Sequence, residues 1–568
     1  MLTIKATGAF SSSFTRYQGR RAFLFHPISS TTAIMTISND LAPWTPSNPD
    51  HVLEAKELDV WPLDEYNAGL LNEVHPRGYT KSHTEPTESI VYDLIAVGAG
   101  AGGLVSSRQS ARRGAKSALI SEHLAGGDCL NVGCVPSKAL LRAMKAAIEV
   151  KQASEFGVNI NGSVDIDFGK IMERLRLLRS KIAPVDGHGT TVTAGAHMYQ
   201  GRGKFIGPNT IRVGNETLHF KKAVVATGGR AGIPNVPGLK EAPYTTNEIL
   251  FNLQTLPPRM VILGAGVIAL EMAQCFATFG SEVTVLQRKK SLFESKQGDP
   301  EAAELIQKEL EKSGVQFLNG TTKQVETLRA RSDDPTEHPL MKIQFETMDG
   351  ADKELECECL LVATGRVANV ENLGLEEANV EYELGEGVKV NDLAQSVSNP
   401  SIFAVGDCVA GVPRLTHMSG EMAKLVVQNS LFGDDWKLSS LIVPATMYTE
   451  PEYATVGIYS AELAEKQGIA VDMYRTGLEH NDRAILEGNN IGFCKIFCKA
   501  GTDEILGATI VAERAGEMIN EVGLAMKNKI GLYNVGRNIH CYPTTGECVM
   551  MCGVQYINTK VLKRFGEQ

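Results

Sequence analysis

The sequence predicts an α/β chain carrying two Rossmann-like units, on three observations. Two segments share one design, VYDLIAVGAGAGG from Val91 and MVILGAGVIALE from Met260: an apolar strand, a glycine turn, then a helix. At 568 residues the chain exceeds a single hydrophobic core and should divide into roughly three to five folded units. Hydrophobic residues make up 43% and charged residues 21%, the balance of a globular protein with a sizeable buried interior.

The same numbers exclude several classes. A net charge of -10 leaves no basic field to draw in phosphate backbones, so no nucleic-acid partner is expected. The most apolar run, Met260 to Ala273, is shorter than the ~20 residues a bilayer requires and contains Glu271, so no membrane span is expected. Eleven cysteines over this length do not make the dense framework of a small secreted domain, which favours a reducing compartment.

Taken in chain order, residues 1–39 contain Lys5, Arg16, Arg20 and Arg21 but no acid, and are rich in Ser and Thr. That composition predicts a transit peptide and import into a mitochondrion or chloroplast; without such an address the protein is cytoplasmic. Residues 40–90 are Pro-rich and polar with scattered apolar positions such as Trp61 and Leu70–Leu71, and are expected to form an extended, loosely packed N-terminal arm. In the first glycine turn, Gly98 and Gly100 allow a tight bend and close approach to a pyrophosphate, and Gly103 lets the helix lie on the strand. Gly264 and Gly266 serve the same ends in the second, where Ala269 replaces the third glycine. Each helix start offers unpaired N–H groups and a positive dipole end to phosphate. Two such turns imply two bound nucleotides.

Between them lies GGDCLNVGCVPSKALLRAMKAAIEV, from Gly126. Cys129 and Cys134 are separated by four residues, Gly133 lets the turn close, and Cys134 opens a helix with Leu140, Leu141, Met144 and Ile148 at apolar spacing. A helix N-terminus stabilises a thiolate, the form of cysteine that attacks disulfides. A static crosslink or two small buried residues is the alternative, and a zinc site lacks two further ligands.

GGDCLNVGCVPSK resembles the active-site signature of the pyridine-nucleotide disulfide oxidoreductases, which include dihydrolipoamide dehydrogenase, glutathione reductase and mercuric reductase. The resemblance runs from about Val91 to the C-terminus. It implies bound FAD, with Cys134 as the thiolate against the flavin and Cys129 as the interchange thiol; Lys138 and Glu271 match an ion pair beside the flavin's reactive end. ATGGR at Ala226, ATGR at Ala363 and FAVGDC at Phe403 are family landmarks, so Thr227, Gly228 and Gly365 are expected at cofactor turns and Asp407 at the ribityl chain. The implied order is FAD domain 91–238, NAD(P) domain 239–361, FAD domain again 362–439, and an α+β dimerisation domain 440–568 that makes the protein a homodimer.

At the end of the second Rossmann strand, SEVTVLQRKK, the acid that binds the ribose of NAD is missing. Gln287 stands there, followed by Arg288, Lys289 and Lys290, which suit a 2′-phosphate, so NADPH is expected over NADH. An exposed basic turn is the alternative, and a solvated face is expected for the basic helix Lys170–Lys181. In the FAD unit Ser121 occupies the acid position, and Glu122, one residue later, is the candidate ribose ligand.

The C-terminal signature departs from the disulfide reductases, whose His-Pro-Thr supplies a general base. Here His540-Cys541-Tyr542-Pro543-Thr544 puts tyrosine at that place, with Glu547 in the usual acid position and His540 as a candidate substitute base. Deprotonating an unperturbed tyrosine rather than a histidine near neutrality costs roughly 5 kcal/mol more. Tyrosine there is similar to mercuric reductase, so a soft metal ion or another thiol-reactive small molecule is the expected electron acceptor, as substrate and without a resident metal. The chain lacks the terminal vicinal cysteine pair of mercuric reductases, and the spacing of Cys541, Cys548 and Cys552 matches no delivery motif. A dihydrolipoamide dehydrogenase is the enzymatic alternative, and a non-catalytic flavoprotein scaffold the alternative of another class.

Overall fold

The computed structural model describes residues 41–293, 298–332, 334 and 336–562, and the expected transit segment 1–39 lies outside them. The described residues all fall within one compact unit, Thr36–Gln568. Among them no helix is long and apolar enough to cross a membrane.

The first sheet has seven strands, ordered His197–Gln200, Ser117–Ser121, Val91–Val97, Glu216–Val225, Thr210–Val213 and Gly203–Gly207, with Ile402–Ala404 paired in parallel to Glu216–Val225. Val91–Val97 runs parallel to both neighbours, placing Leu94 beside Ser117 and Lys222. The second sheet has six strands, ordered Asp352–Cys357, Leu340–Thr347, Val315–Arg329, Glu282–Gln287, Arg259–Leu263 and Cys359–Val362. Between the sheets the chain passes out through Gly229–Ala231 and back through Arg366–Ala368, which pair antiparallel. The third sheet is antiparallel throughout, ordered Ala445–Met447, Glu452–Gly457, Ile505–Ala512, Phe493–Lys499 and Val471–Gly477. The architecture is the predicted one: two Rossmann-like units and a C-terminal α+β domain.

The glycine turns take their form from close backbone approach. Gly98 has φ +107 and Gly264 φ +103, and a Cβ would strike the carbonyl of Ala226 in the first case and of Ala363 in the second. Each therefore ends its strand against the neighbouring crossing, where ligands of such sheets bind.

The expectation of a loose, extended arm is wrong. The arm folds as two helices, Pro49–Glu57 and Glu65–Val74, each with an N-cap side chain: Asn48 accepts from the Asp50 N–H and Asp64 from the Asn67 N–H. Trp44, Leu70, Leu71 and Val74 are buried in the core of the FAD unit, each worth roughly 2 kcal/mol. The basic helix is corrected with it, because its inner face is not solvated. Arg176 pairs with Asp64 at 2.5 Å, and fully buried Arg179 donates to the Asn131 carbonyl and Asn67 Oδ1, both at 2.7 Å. These arginines are where the arm docks.

Strand Phe493–Lys499 is tied to the nucleotide unit by a buried ion pair. Lys495 Nζ lies 2.8 Å from both Asp299 oxygens and 2.8 Å from Glu301, and Arg475 reaches Glu301 at 2.6 Å. Asp299 is also the N-cap of helix Pro300–Lys312.

Candidate active site

At the carboxyl ends of the first sheet's strands opens a cavity of about 720 Å³, within the range of ligand clefts. Gly98, Gly100, Glu122, Cys129, Thr227, Gly228 and Asp407 line it. Gly103 stands behind the turn, where a Cβ would run into the Gly98 carbonyl, so helix Ala101–Arg112 can point its N-terminus at the cavity only with glycine there. Thr227 Oγ donates to the Asn369 carbonyl at 2.6 Å, and Gly228 takes φ +69. Gly365 lies in the return crossing with φ +145, its carbonyl accepting from the Gly232 N–H at 2.9 Å. Glu122 is held at 2.7 Å by Arg202. Asp407 accepts from Arg366 Nε at 3.1 Å, and burial raises its carboxyl above the usual range against the pull of that guanidinium. Arg366 also binds Asp128 and the Gly229 carbonyl, so one cation ties three walls together. A glycine cradle without room for Cβ atoms, a helix N-terminus for phosphate and a carboxylate for sugar hydroxyls fit a flavin dinucleotide.

The two cysteines meet on this wall as free thiols. Cys129 sits in the short helix Gly127–Asn131, and Cys134 is the first residue of helix Cys134–Gln152. The chain doubles back between them because Gly133 has no Cβ, which would come within 2.7 Å of the Asp128 carbonyl. The Cys129 thiol donates a hydrogen bond to the Cys134 sulfur, and this does most to lower the Cys134 pKa. Thr416 Oγ1, 3.3 Å from Cys134 Sγ, and the Lys138 charge act in the same direction, while burial and Glu271 oppose them. Donation and burial push the Cys129 thiol up. The pair is thus one thiolate and one thiol, poised to open and close a disulfide.

Behind the pair, Lys138 Nζ binds both oxygens of Glu271, at 3.2 and 3.0 Å. Glu271 is only 2% exposed and Lys138 39%, so this is not a solvated surface pair. Glu271 also accepts from the Tyr448 N–H at 2.9 Å, and Lys138 Nζ lies 4.3 Å from the centre of the Tyr448 ring.

In the second Rossmann unit Gly266 caps helix Val267–Phe279, and Ala269 is fully buried. Gln287 ends its strand buried, donating to Asn319 Oδ1 at 3.2 Å, and Arg288 and Lys289 follow it exposed.

The C-terminal candidates are not brought together. Tyr542 is 72% exposed, and its hydroxyl donates to Asp482 at 2.7 Å, which raises its pKa above the ordinary value. His540 Nε2 lies 3.0 Å from Glu521. Glu547 accepts from the Thr544 N–H at 3.1 Å, capping its own helix. Cys541 is exposed, whereas Cys548 and Cys552 are buried in the core of the third sheet. Among the described residues no group of three or more His, Cys, Asp or Glu is arranged to hold a metal ion.

Sequence reasoning missed Arg366, Thr416, Tyr448 and Asp482. Arg366 ends the quoted ATGR and Thr416 lies within LTHMSGEMA, so the motifs were a signal for both. Tyr448 and Asp482 reach the site only through tertiary packing.

Fold and site together define a two-nucleotide oxidoreductase built around a dithiol. The pyridine nucleotide-disulphide oxidoreductase family matches residues 92–423, and its dimerisation domain matches 443–551. A dihydrolipoyl dehydrogenase of Staphylococcus aureus is 34% identical over 469 residues, covering 81% of this chain and 95% of that protein. A mercuric reductase of Lysinibacillus sphaericus is 30% identical over 502 residues, 88% of each. The HOCl-induced flavoprotein disulfide reductase RclA from Escherichia coli, solved as a Cu(II) complex, shares the fold with a TM-score of 0.70 at 23% identity, over 82% of this chain and 99% of that one. The chain belongs to the pyridine nucleotide-disulphide oxidoreductases, enzymes that use FAD and NAD(P)H with a redox-active disulfide. The matched dimerisation domain implies a homodimer.

Proposed function

We propose that this enzyme is an NADPH-dependent reductase of mercuric-reductase type, acting on a soft metal ion or another thiol-reactive acceptor. The observation that carries the reading is Tyr542. It occupies the general-base position, and its hydroxyl, donating to Asp482, is held further from deprotonation than a free tyrosine. Relatives of both names match at similar identity, so the residues and not the likeness choose between acceptors. A disulfide substrate requires a base to manage the proton of its leaving thiol, whereas a soft cation held by thiolates does not.

Bound FAD relays two electrons from the nicotinamide to the disulfide. Opening the Cys129–Cys134 bond with two electrons and one proton yields the Cys134 thiolate and the Cys129 thiol. Thr416 and Lys138 stabilise that thiolate, and Glu271 keeps Lys138 in place. Passing both electrons to the acceptor restores the disulfide, so the balance is NADPH, one proton and oxidised acceptor to NADP⁺ and reduced acceptor. Arg288 and Lys289 support NADPH as donor, exposed where a 2′-phosphate would lie. The composition of residues 1–39 supports organellar import, which sequencing of the mature N-terminus tests.

The test is an acceptor screen with NADPH and NADH over mercuric ion, lipoamide, oxidised glutathione and quinones. Mercuric ion should turn over with NADPH, and lipoamide turnover should be low and rise in Tyr542→His. Equal lipoamide rates in the two proteins would sink the reading.

A further inference from the structure

The wall of the flavin cavity includes three residues from outside the matched family region, Leu58, Asp59 and Val60 of the N-terminal arm. They form a turn locked in place at every step. Helix Pro49–Glu57 ends in it, with the Leu58 N–H bonded to the Glu54 carbonyl at 3.2 Å, Asp59 to Lys56 at 3.1 Å and Val60 to Ala55 at 2.9 Å. Val60 is buried, and Asp59 takes φ 56, a left-handed conformation that a non-glycine residue keeps only where its surroundings impose it. What imposes it is Asn252, a buried residue beyond the first sheet, whose Nδ2 donates to the Asp59 carbonyl at 2.8 Å. Arg176 and Arg179 hold the following helix, so the turn is fixed from both sides.

Fixed in this way, Asp59 stands exposed to the open cavity, beside two other wall residues, His123 and Glu248. A carboxylate accepts hydrogen bonds from sugar hydroxyls and repels a pyrophosphate. Glu122, the acid at the strand end, already has an oxygen engaged by Arg202. We propose that the arm turn Leu58–Val60 is part of the FAD site, closing it on the side of His123, with Asp59 accepting hydrogen bonds from the cofactor's sugar hydroxyls. The inference rests on FAD filling this cavity, and it gives the arm a task in retaining the cofactor.

The test is FAD affinity, read by flavin fluorescence as deflavinated full-length protein is refilled. Asp59→Gly keeps the left-handed backbone free of strain and removes only the side chain, so the fold is retained. It should raise the FAD Kd about tenfold, the loss of one charged hydrogen bond. Asp59→Asn should have a smaller effect, and Leu53→Ser, on the arm's exposed face, none. In the unaltered protein, adding FAD should slow hydrogen exchange in residues 58–60. A Kd within twofold of the starting protein for Asp59→Gly, or exchange at 58–60 indifferent to FAD, would overturn the inference. Protein that takes up no FAD at all would instead overturn the cofactor assignment on which it rests.

Discussion

Removing the Cys129 thiol should raise the pH at which Cys134 becomes reactive. In the reduced protein the hydrogen bond from Cys129 is the largest influence lowering the Cys134 pKa. A hydrogen bond to a charged group contributes about 1.5–3 kcal/mol, and at 1.36 kcal/mol per unit its loss corresponds to roughly 1–2 pH units. Thr416 at 3.3 Å and Lys138 remain in the variant and hold the shift toward the lower figure. Cys129→Ala removes the donor and Cys129→Ser keeps one, so the serine variant should stay near the original midpoint. The assay is the rate of iodoacetamide alkylation against pH, followed by mass on the peptide carrying Cys134. The same lowering makes the reduced protein more stable above the ordinary thiol pKa of about 8.5, a gain lost as pH falls through the lowered value. Melting curves of Cys129→Ala should show less of that dependence. Identical alkylation midpoints for the alanine and serine variants would refute the assignment of the thiolate to its neighbour's hydrogen bond.

Lys138→Met and Glu271→Gln should move Cys134 in opposite directions, up and down, because the Lys138 charge favours the thiolate and the Glu271 charge opposes it; the same alkylation profile reads both. Lys138→Met should also lower stability by about 2 kcal/mol in urea unfolding, less than the about 3–5 kcal/mol of a fully buried pair because Lys138 is partly exposed. Gly103→Ala forces a methyl into the Gly98 carbonyl and should destabilise the FAD unit by about 1–3 kcal/mol, visible as flavin lost on gel filtration; full flavin content would contradict the close approach. His83 and His197 are stacked at 4.2 Å, and burial lowers both, His83 to about 4. The unfolded arm takes up protons first as pH falls below about 6.5, so arm docking should weaken between there and about pH 4; proteolysis of residues 41–90 at unchanged rate across that window would refute it.

The glycine turns were legible because their chemistry is local. Gly98 and Gly264 sit at positive φ against a neighbouring carbonyl, a demand only glycine meets, and the turn they make is where a nucleotide binds. The cysteine pair was legible for the same reason, its spacing, its glycine and its helix start all lying within six residues. The arm was misread because its apolar positions are too few to show a period. Leu70, Leu71 and Val74 make one turn of contact, and the capping pairs Asn48–Pro49 and Asp64–Asn67 were the available signal. Burial of Arg176 and Arg179 depends on that same docking and was hidden with it. Asp482, sixty residues before its partner Tyr542, is visible only when the third domain is folded.

The ammonium of Lys495, clamped between Asp299 and Glu301, acts as a bolt through the junction of the nucleotide unit and the C-terminal sheet. Drawing such a bolt strands charge in a dry interior, an excursion too rare to recur in every turnover. Donor and spent nucleotide must then trade places through motions of side chains at the rim, with the two bodies locked in one frame.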